Sequence, residues 1–171
     1  MNTGHDMTIR PAAPADVPLI LSLIRELAEY ERDPGAVVAT PELLREHLFG
    51  PTPRAHCVIG ELDGRPEGFA LYFFNFSTWM GRPGLYLEDL FVRPECRGRG
   101  LGKALFLHLA RLAHGMGCGR MEWSVLDWNT PAIEFYRSMG AISMDEWTVF
   151  RLTRESLAKL AGPQEHESSH G

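Results

Sequence analysis

Leu85-Tyr86-Leu87-Glu88-Asp89-Leu90-Phe91-Val92, followed closely by Arg97-Gly98-Arg99-Gly100-Leu101-Gly102-Lys103, is the stretch that decides how this chain folds. The first run is rich in strand formers and is stopped by Pro94, which has no N–H to give a ladder, so it reads as the central strand. The second places three glycines at alternate positions before a helical pattern, with Arg97, Arg99 and Lys103 around them. Glycines let a ligand approach the backbone and let its N–H groups turn inward, and the N-terminus of the following helix adds partial positive charge. This loop is built for an anion.

Two other phosphate loops fail on spacing. A G-x-G-x-x-G pattern starting at Gly98 needs glycine where Lys103 stands. The P-loop needs glycine at position 97 and Ser or Thr at 104, which are arginine and alanine.

Working outward, Leu105, Leu109 and Leu112 share one face of a helix from about Gly102 to His114, which the glycines from Gly115 to Gly119 end. Upstream, His56 to Leu62 and Glu67 to Phe76 flank Asp63-Gly64 and predict a hairpin, with a second turn at Gly81-Arg82-Pro83-Gly84. The aromatic run Leu71 to Phe76 predicts a strand buried on both faces or lying against a second subunit. Ile20, Leu23, Ile24, Leu27 and Ala28 recur at helical spacing between Pro14-Ala15-Asp16 and Tyr30, after a short strand at Thr8 to Pro11. Thr40-Pro41 starts a second short helix carrying Leu43, Leu44, His47 and Leu48.

Downstream, Arg120 to Val125 predicts a strand. Asn129-Thr130-Pro131 repeats the cap-and-proline start of a helix that carries Ile133, Phe135, Tyr136 and Met139 and ends at Gly140. A last strand pair is expected at Ala141 to Met144 and Trp147 to Leu152, then a short polar helix. The order describes an α/β fold in which helices cover a mixed sheet. One domain over 8–161 is expected, between a disordered N-terminus at 1–7 and a disordered tail at 162–171.

Composition narrows the function. In 171 residues, 44% are hydrophobic and 23% charged, as in an ordinary globular protein, and a net charge of -5 argues against general nucleic-acid binding. Cys57, Cys96 and Cys118 are too few and too scattered for a disulfide framework or a CxxC site, and with no signal pattern or membrane-length apolar stretch they point to the cytoplasm. His47, His56, His108 and His114 have no metal-ligand spacing, and no Gly-x-Ser-x-Gly elbow supplies a nucleophile, so no metal is expected.

Arg97-x-x-Gly100-x-Gly102 matches the Gln/Arg-x-x-Gly-x-Gly/Ala signature of the GNAT N-acetyltransferase superfamily, and the element order from Ile9 to Leu152 resembles that fold. Within it, Ile24 to Glu31, Tyr86-Leu87-Glu88-Asp89 and Trp128 to Tyr136 are similar to the spermidine/spermine N-acetyltransferase branch, which includes thialysine acetyltransferases. The chain departs from that branch by one residue inserted at Gly81 to Gly84.

The resemblance implies a mostly antiparallel sheet with a central parallel strand pair, splayed to admit the pantetheine of acetyl-CoA. It implies that backbone groups of Leu90, Phe91 and Val92 hold the pantetheine, that Arg97, Gly98, Arg99, Gly100, Leu101, Gly102 and Lys103 hold the pyrophosphate, and that Asn129 contacts the cofactor from the other side. Tyr136 matches the tyrosine that protonates the departing CoA thiolate. Tyr30, Glu31, Trp79, Glu88 and Asp89 match acceptor-binding positions, with Trp147 beside them, and the family implies a homodimer.

An alkyl ammonium of pKa near 10.4 leaves about one molecule in 2,500 as free base at pH 7, so a base is needed, and Glu88 is the candidate, through water. Glu88 and Asp89 are consecutive, so only a bulge would bring both toward one cleft. The expected activity is acetyl transfer from acetyl-CoA to a primary amine of a small polycation: a polyamine, a diamine or a lysine-like amino acid. The same chemistry on an amino acid, an aminoglycoside or a protein lysine, and a non-catalytic acyl-CoA-binding module, are the alternatives.

Overall fold

The structure, a computed structural model, describes residues 6–162. It divides into two compact units, Met1–Trp128 and Asn129–Gly171, where the pattern predicts one domain over 8–161. The tails expected to be disordered lie outside the described residues, except that the Asp6 amide donates to Asp63 Oδ1, Met7 already belongs to the first strand and Gly162 follows the last helix.

The first unit carries a five-stranded sheet: β1 (Met7–Pro11), β2 (His56–Leu62), β3 (Arg65–Ser77), β4 (Arg82–Val92) and β5 (Met121–Glu122), in that spatial order. Pairing is antiparallel except between β4 and β5, which run parallel through Leu85 opposite Met121 and Tyr86 opposite Glu122. The mixed, mostly antiparallel sheet with one parallel pair is therefore present. Between β2 and β3, Asp63 and Gly64 have φ of 51° and 76°, and a two-residue turn with both central residues left-handed matches the twist of the strands it joins.

Helices α1 (Val17–Tyr30) and α2 (Pro41–Phe49) cover one face of the sheet. Ile20, Leu23, Leu27 and Leu48 pack on Ile59, Phe69 and Phe91, which lie opposite one another across β2, β3 and β4. Phe69 is fully buried, and truncating it to alanine would remove about 3–5 kcal/mol of packing. Helix α3 (Leu101–Gly115) covers the other face. Gly60 lets it come close, because a Cβ there would lie 2.8 Å from Leu101 Cδ1.

Two arginines fix α1. Arg10 joins Asp16, just before the helix, to Glu61 of β2 at 2.7 Å each. At the other end, Arg93 donates through Nε and Nη2 to the two carboxylate oxygens of Glu26, both at 2.9 Å. That two-pronged pair holds the Glu26 carboxyl below its ordinary range and ties the last turns of α1 to the end of β4. Tyr30 and Glu31 are positioned by it.

The second unit contains α4 (Thr130–Ser138) and α5 (Arg154–Ala161). The strand pair expected at 141–144 and 147–152 is absent. Among the described residues this unit has no strand, so those segments find no ladder within it, and Ile142, Val149 and Phe150 are 82%, 81% and 92% exposed. In consequence the parallel pair closes one edge of the five-stranded sheet rather than its centre. The strand expected over Arg120 to Val125 is likewise shortened to Met121–Glu122. The run Leu71 to Phe76 is half-buried on β3, not buried on both faces, and Phe76 is exposed.

Candidate active site

The anion loop leads into α3 as its spacing predicts. Gly98 and Gly100 have φ of 78° and 89°, a region in which a side chain strains the backbone, and Gly100 is the residue that caps the helix. No side chain caps α3, and among the described residues the amides of Gly98 to Lys103 have no backbone acceptor. Arg99 and Lys103 are exposed and without a carboxylate partner among the described residues. A row of unused N–H groups flanked by two unpaired cations fits a pyrophosphate.

Arg97 behaves differently from its neighbours. Its Nε donates to the carbonyl of Val92 at 2.9 Å, and its guanidinium lies over the Tyr30 ring, 4.4 Å from the centroid, and 5.7 Å from that of Phe91. The side chain is thus spent on the wall of the site, and the Val92 carbonyl, expected to face the pantetheine, is engaged by it. Beyond Tyr86, β4 has no strand partner on the β5 side among the described residues. The edge from Leu87 to Val92 therefore carries no ladder on that side.

The bulge that Glu88 and Asp89 require is present. Leu71 of β3 pairs with Asp89 while Tyr72 pairs with Leu87, so Glu88 is the extra residue on β4. Asp89 shares its row with Leu71 and Cys57 on the α1 face, and burial, then Glu88, then Glu31, push its carboxyl from an ordinary 3.8 up to about 7. Burial also raises the Glu31 carboxyl. Among the described residues none of these three carboxylates has a hydrogen-bonded or ion-paired cation. Glu88 and Glu31 both oppose the charge on the largely buried Asp89, which is the arrangement that a cationic ligand relieves.

Tyr30 also faces Trp128, with ring centroids 6.1 Å apart, and the Arg32 guanidinium lies 4.2 Å from the centre of the Trp128 ring. Arg32, Trp128, Tyr30 and Arg97 thus form a chain of contacts, with the two rings tilted at 55° to each other. Its outer half, Arg32 and Trp128, is not among the sequence-derived candidates, because aromatic and basic residues 96 positions apart carry no periodic signal. Trp79, expected at the rim, stands 92% exposed in the β3–β4 turn, and none of its contacts joins it to this group.

Asn129 and Tyr136 belong to the second unit. Asn129 caps α4 by accepting from the Ala132 amide at 3.4 Å, and Tyr136 lies edge-on to Phe135 with its phenol pushed up to about 12 by burial. Trp147 is 69% exposed in the same unit. Among the described residues no group of three or more His, Cys, Asp or Glu could hold a metal, and no helix is long and apolar enough to cross a membrane.

The anion loop, the open edge of β4 and the bulge beside it coincide with a family match: residues 21–141 fit the acetyltransferase (GNAT) family. The chain belongs to that family. The chain is 42% identical to a thialysine N-epsilon-acetyltransferase of Bos taurus over 90% of this chain and 96% of the relative. It is 33% identical to an L-ornithine N5-acetyltransferase of Arabidopsis thaliana, covering 92% and 90%. Among solved structures, an integron cassette protein of V. cholerae superposes with a TM-score of 0.76 at 27% identity, over 92% of this chain and 98% of that one. As a GNAT member it is an acetyl-CoA-dependent N-acetyltransferase, and the unused amides of Gly98 to Lys103 fit that co-substrate.

Proposed function

We propose that this enzyme acetylates a primary amine on a small cation carrying at least two amino groups, such as a polyamine, a diamine or a lysine-like amino acid. The observation that carries this is Asp89, largely buried, opposed by Glu88 and Glu31, with no ion-paired cation on any of the three among the described residues. The names of the Bos taurus and Arabidopsis thaliana relatives, for thialysine and for L-ornithine, support the same acceptor class.

Acetyl-CoA supplies an activated thioester; the chain supplies position and protons. The amides of Gly98 to Lys103 hold the pyrophosphate, and the backbone of Leu90 to Val92, apart from the Val92 carbonyl that Arg97 occupies, aligns the pantetheine. Arg97 acts by bracing Tyr30. Asn129 is assigned to the cofactor by its match to the family motif. Asp89 and Glu31 pair with ammonium groups of the acceptor beside Tyr30, whose ring carries Arg97. Glu88 takes a proton from the acceptor ammonium through water and passes it to solvent. The freed nitrogen forms a C–N bond as the C–S bond breaks, and a second proton reaches the sulfur through Tyr136.

A phenol raised to about 12 stays protonated at neutral pH, so it is ready to donate. Transfer to a thiolate near 8.5 is uphill, so donation accompanies C–S cleavage rather than preceding it, and the amine proton restores the phenol. The half-buried aromatic run of β3 and the exposed Phe76 support a homodimer.

CoA release measured with thialysine, ornithine, putrescine, spermidine, an aminoglycoside and a lysine peptide tests the acceptor. Turnover confined to small di- and polyamino compounds is the expected result; activity on the peptide or aminoglycoside alone would overturn it.

A further inference from the structure

Arg32 follows the last turn of α1 with φ at 66°, a left-handed conformation that residues with a side chain seldom adopt. Its amide donates to the carbonyl of Glu29 at 3.0 Å, closing the turn. The guanidinium lies over the Trp128 ring, 4.2 Å from its centroid, and Tyr30 meets Trp128 with ring centroids 6.1 Å apart. A guanidinium that rests on a ring uses no N–H group in that contact, so its donors stay available to take a carboxylate with two parallel hydrogen bonds. Among the described residues Arg32 has no carboxylate partner, although Glu31 precedes it and Asp33 follows.

Consecutive residues at the end of α1 therefore present opposite charges. Glu31 belongs to the carboxylate set that includes Asp89, while Arg32 is an immobilised cation beside it. A linear diamine uses the carboxylates and gains nothing from Arg32. An amino acid with a terminal side-chain amine uses both signs: its ammonium groups meet Glu31, Glu88 and Asp89, and its α-carboxylate meets Arg32.

We propose that Arg32, held on Trp128, binds the α-carboxylate of the acceptor and makes this enzyme select amino acids bearing a side-chain amine over the matching diamines. This rests on the cationic-acceptor reading and adds to it the feature that separates amino acids from polyamines.

The test compares kcat/KM at saturating acetyl-CoA for thialysine against its decarboxylated diamine, and for ornithine against putrescine, in the wild type, Arg32→Gln and Arg32→Lys. The wild type should favour the amino acid in each pair. Arg32→Gln should lower the amino acid to diamine ratio about tenfold or more, chiefly through KM, and Arg32→Lys should restore part of it. Should the glutamine variant fail to fold, the wild type with thialysine amide gives the same information, since removing the substrate's negative charge should cost a similar factor. A ratio unchanged within twofold, or thialysine and its amide turned over equally, overturns the role of Arg32 while leaving the cationic acceptor standing. A wild type that acetylates neither the amino acids nor the diamines overturns both.

Discussion

Asp89→Asn should make the folded chain more stable and the enzyme worse, with a pH dependence that follows from the burial of one carboxyl. The Asp89 carboxyl is pushed from 3.8 up to about 7, first by burial and then by Glu88 and Glu31. The difference, 7 − 3.8, is about 3.2, and at about 1.4 kcal/mol for each tenfold it corresponds to about 4 kcal/mol against ionising Asp89 in the folded state. The sign follows from where the proton binds. The folded chain holds it more tightly than the unfolded chain, so the wild type keeps its full stability below pH 3.8, loses it as pH rises toward 7, and changes little above.

Asparagine is nearly isosteric and does not titrate, so this slope disappears. In urea unfolding followed by tryptophan fluorescence, variant and wild type should be close at pH 4, and the variant should lead by about 4 kcal/mol at pH 8. Turnover of a cationic acceptor should fall in the same variant, and a saturating diamine should stabilise the wild type at pH 8 more than Asp89→Asn. Stability curves that run parallel from pH 4 to 8 would refute the reasoning, because they would mean that Asp89 titrates alike folded and unfolded.

Two further outcomes bear on the donor half of the site. Tyr136→Phe should keep CoA affinity, measured by calorimetry, while kcat falls at least about tenfold, the lower end of what a general acid contributes; an unchanged kcat would remove Tyr136 from that role. Gly100→Ala places a side chain at φ 89° and should cost about 1–2 kcal/mol in unfolding free energy while raising KM for acetyl-CoA several-fold, measured at fixed acceptor.

The donor half was legible because it is local. The glycines at 98, 100 and 102, the strand before them and the helix after them are neighbours in the chain, and their conformational demands are printed in residue type. The bulge at Glu88 was inferred as a requirement, since strand alternation alone would have parted the two carboxylates, and the register between β3 and β4 supplies it. The strands expected at 141–144 and 147–152 were misread for a related reason: alternating apolar residues indicate a strand only when a partner is at hand, and none lies within their own unit among the described residues.

By itself, then, the order of residues determined the family and the donor. Turn chemistry, helix caps and glycine spacing act over a few positions, and so does the anion loop. Only the tertiary structure decided that Arg97 turns from the loop onto Tyr30, that Arg32 lies on Trp128, and that Asp89 is buried beside two other carboxylates. Stacking and burial depend on which distant segments meet, and charge that reads as a solvated helix end in sequence becomes chemistry only when the sheet and α1 close around it.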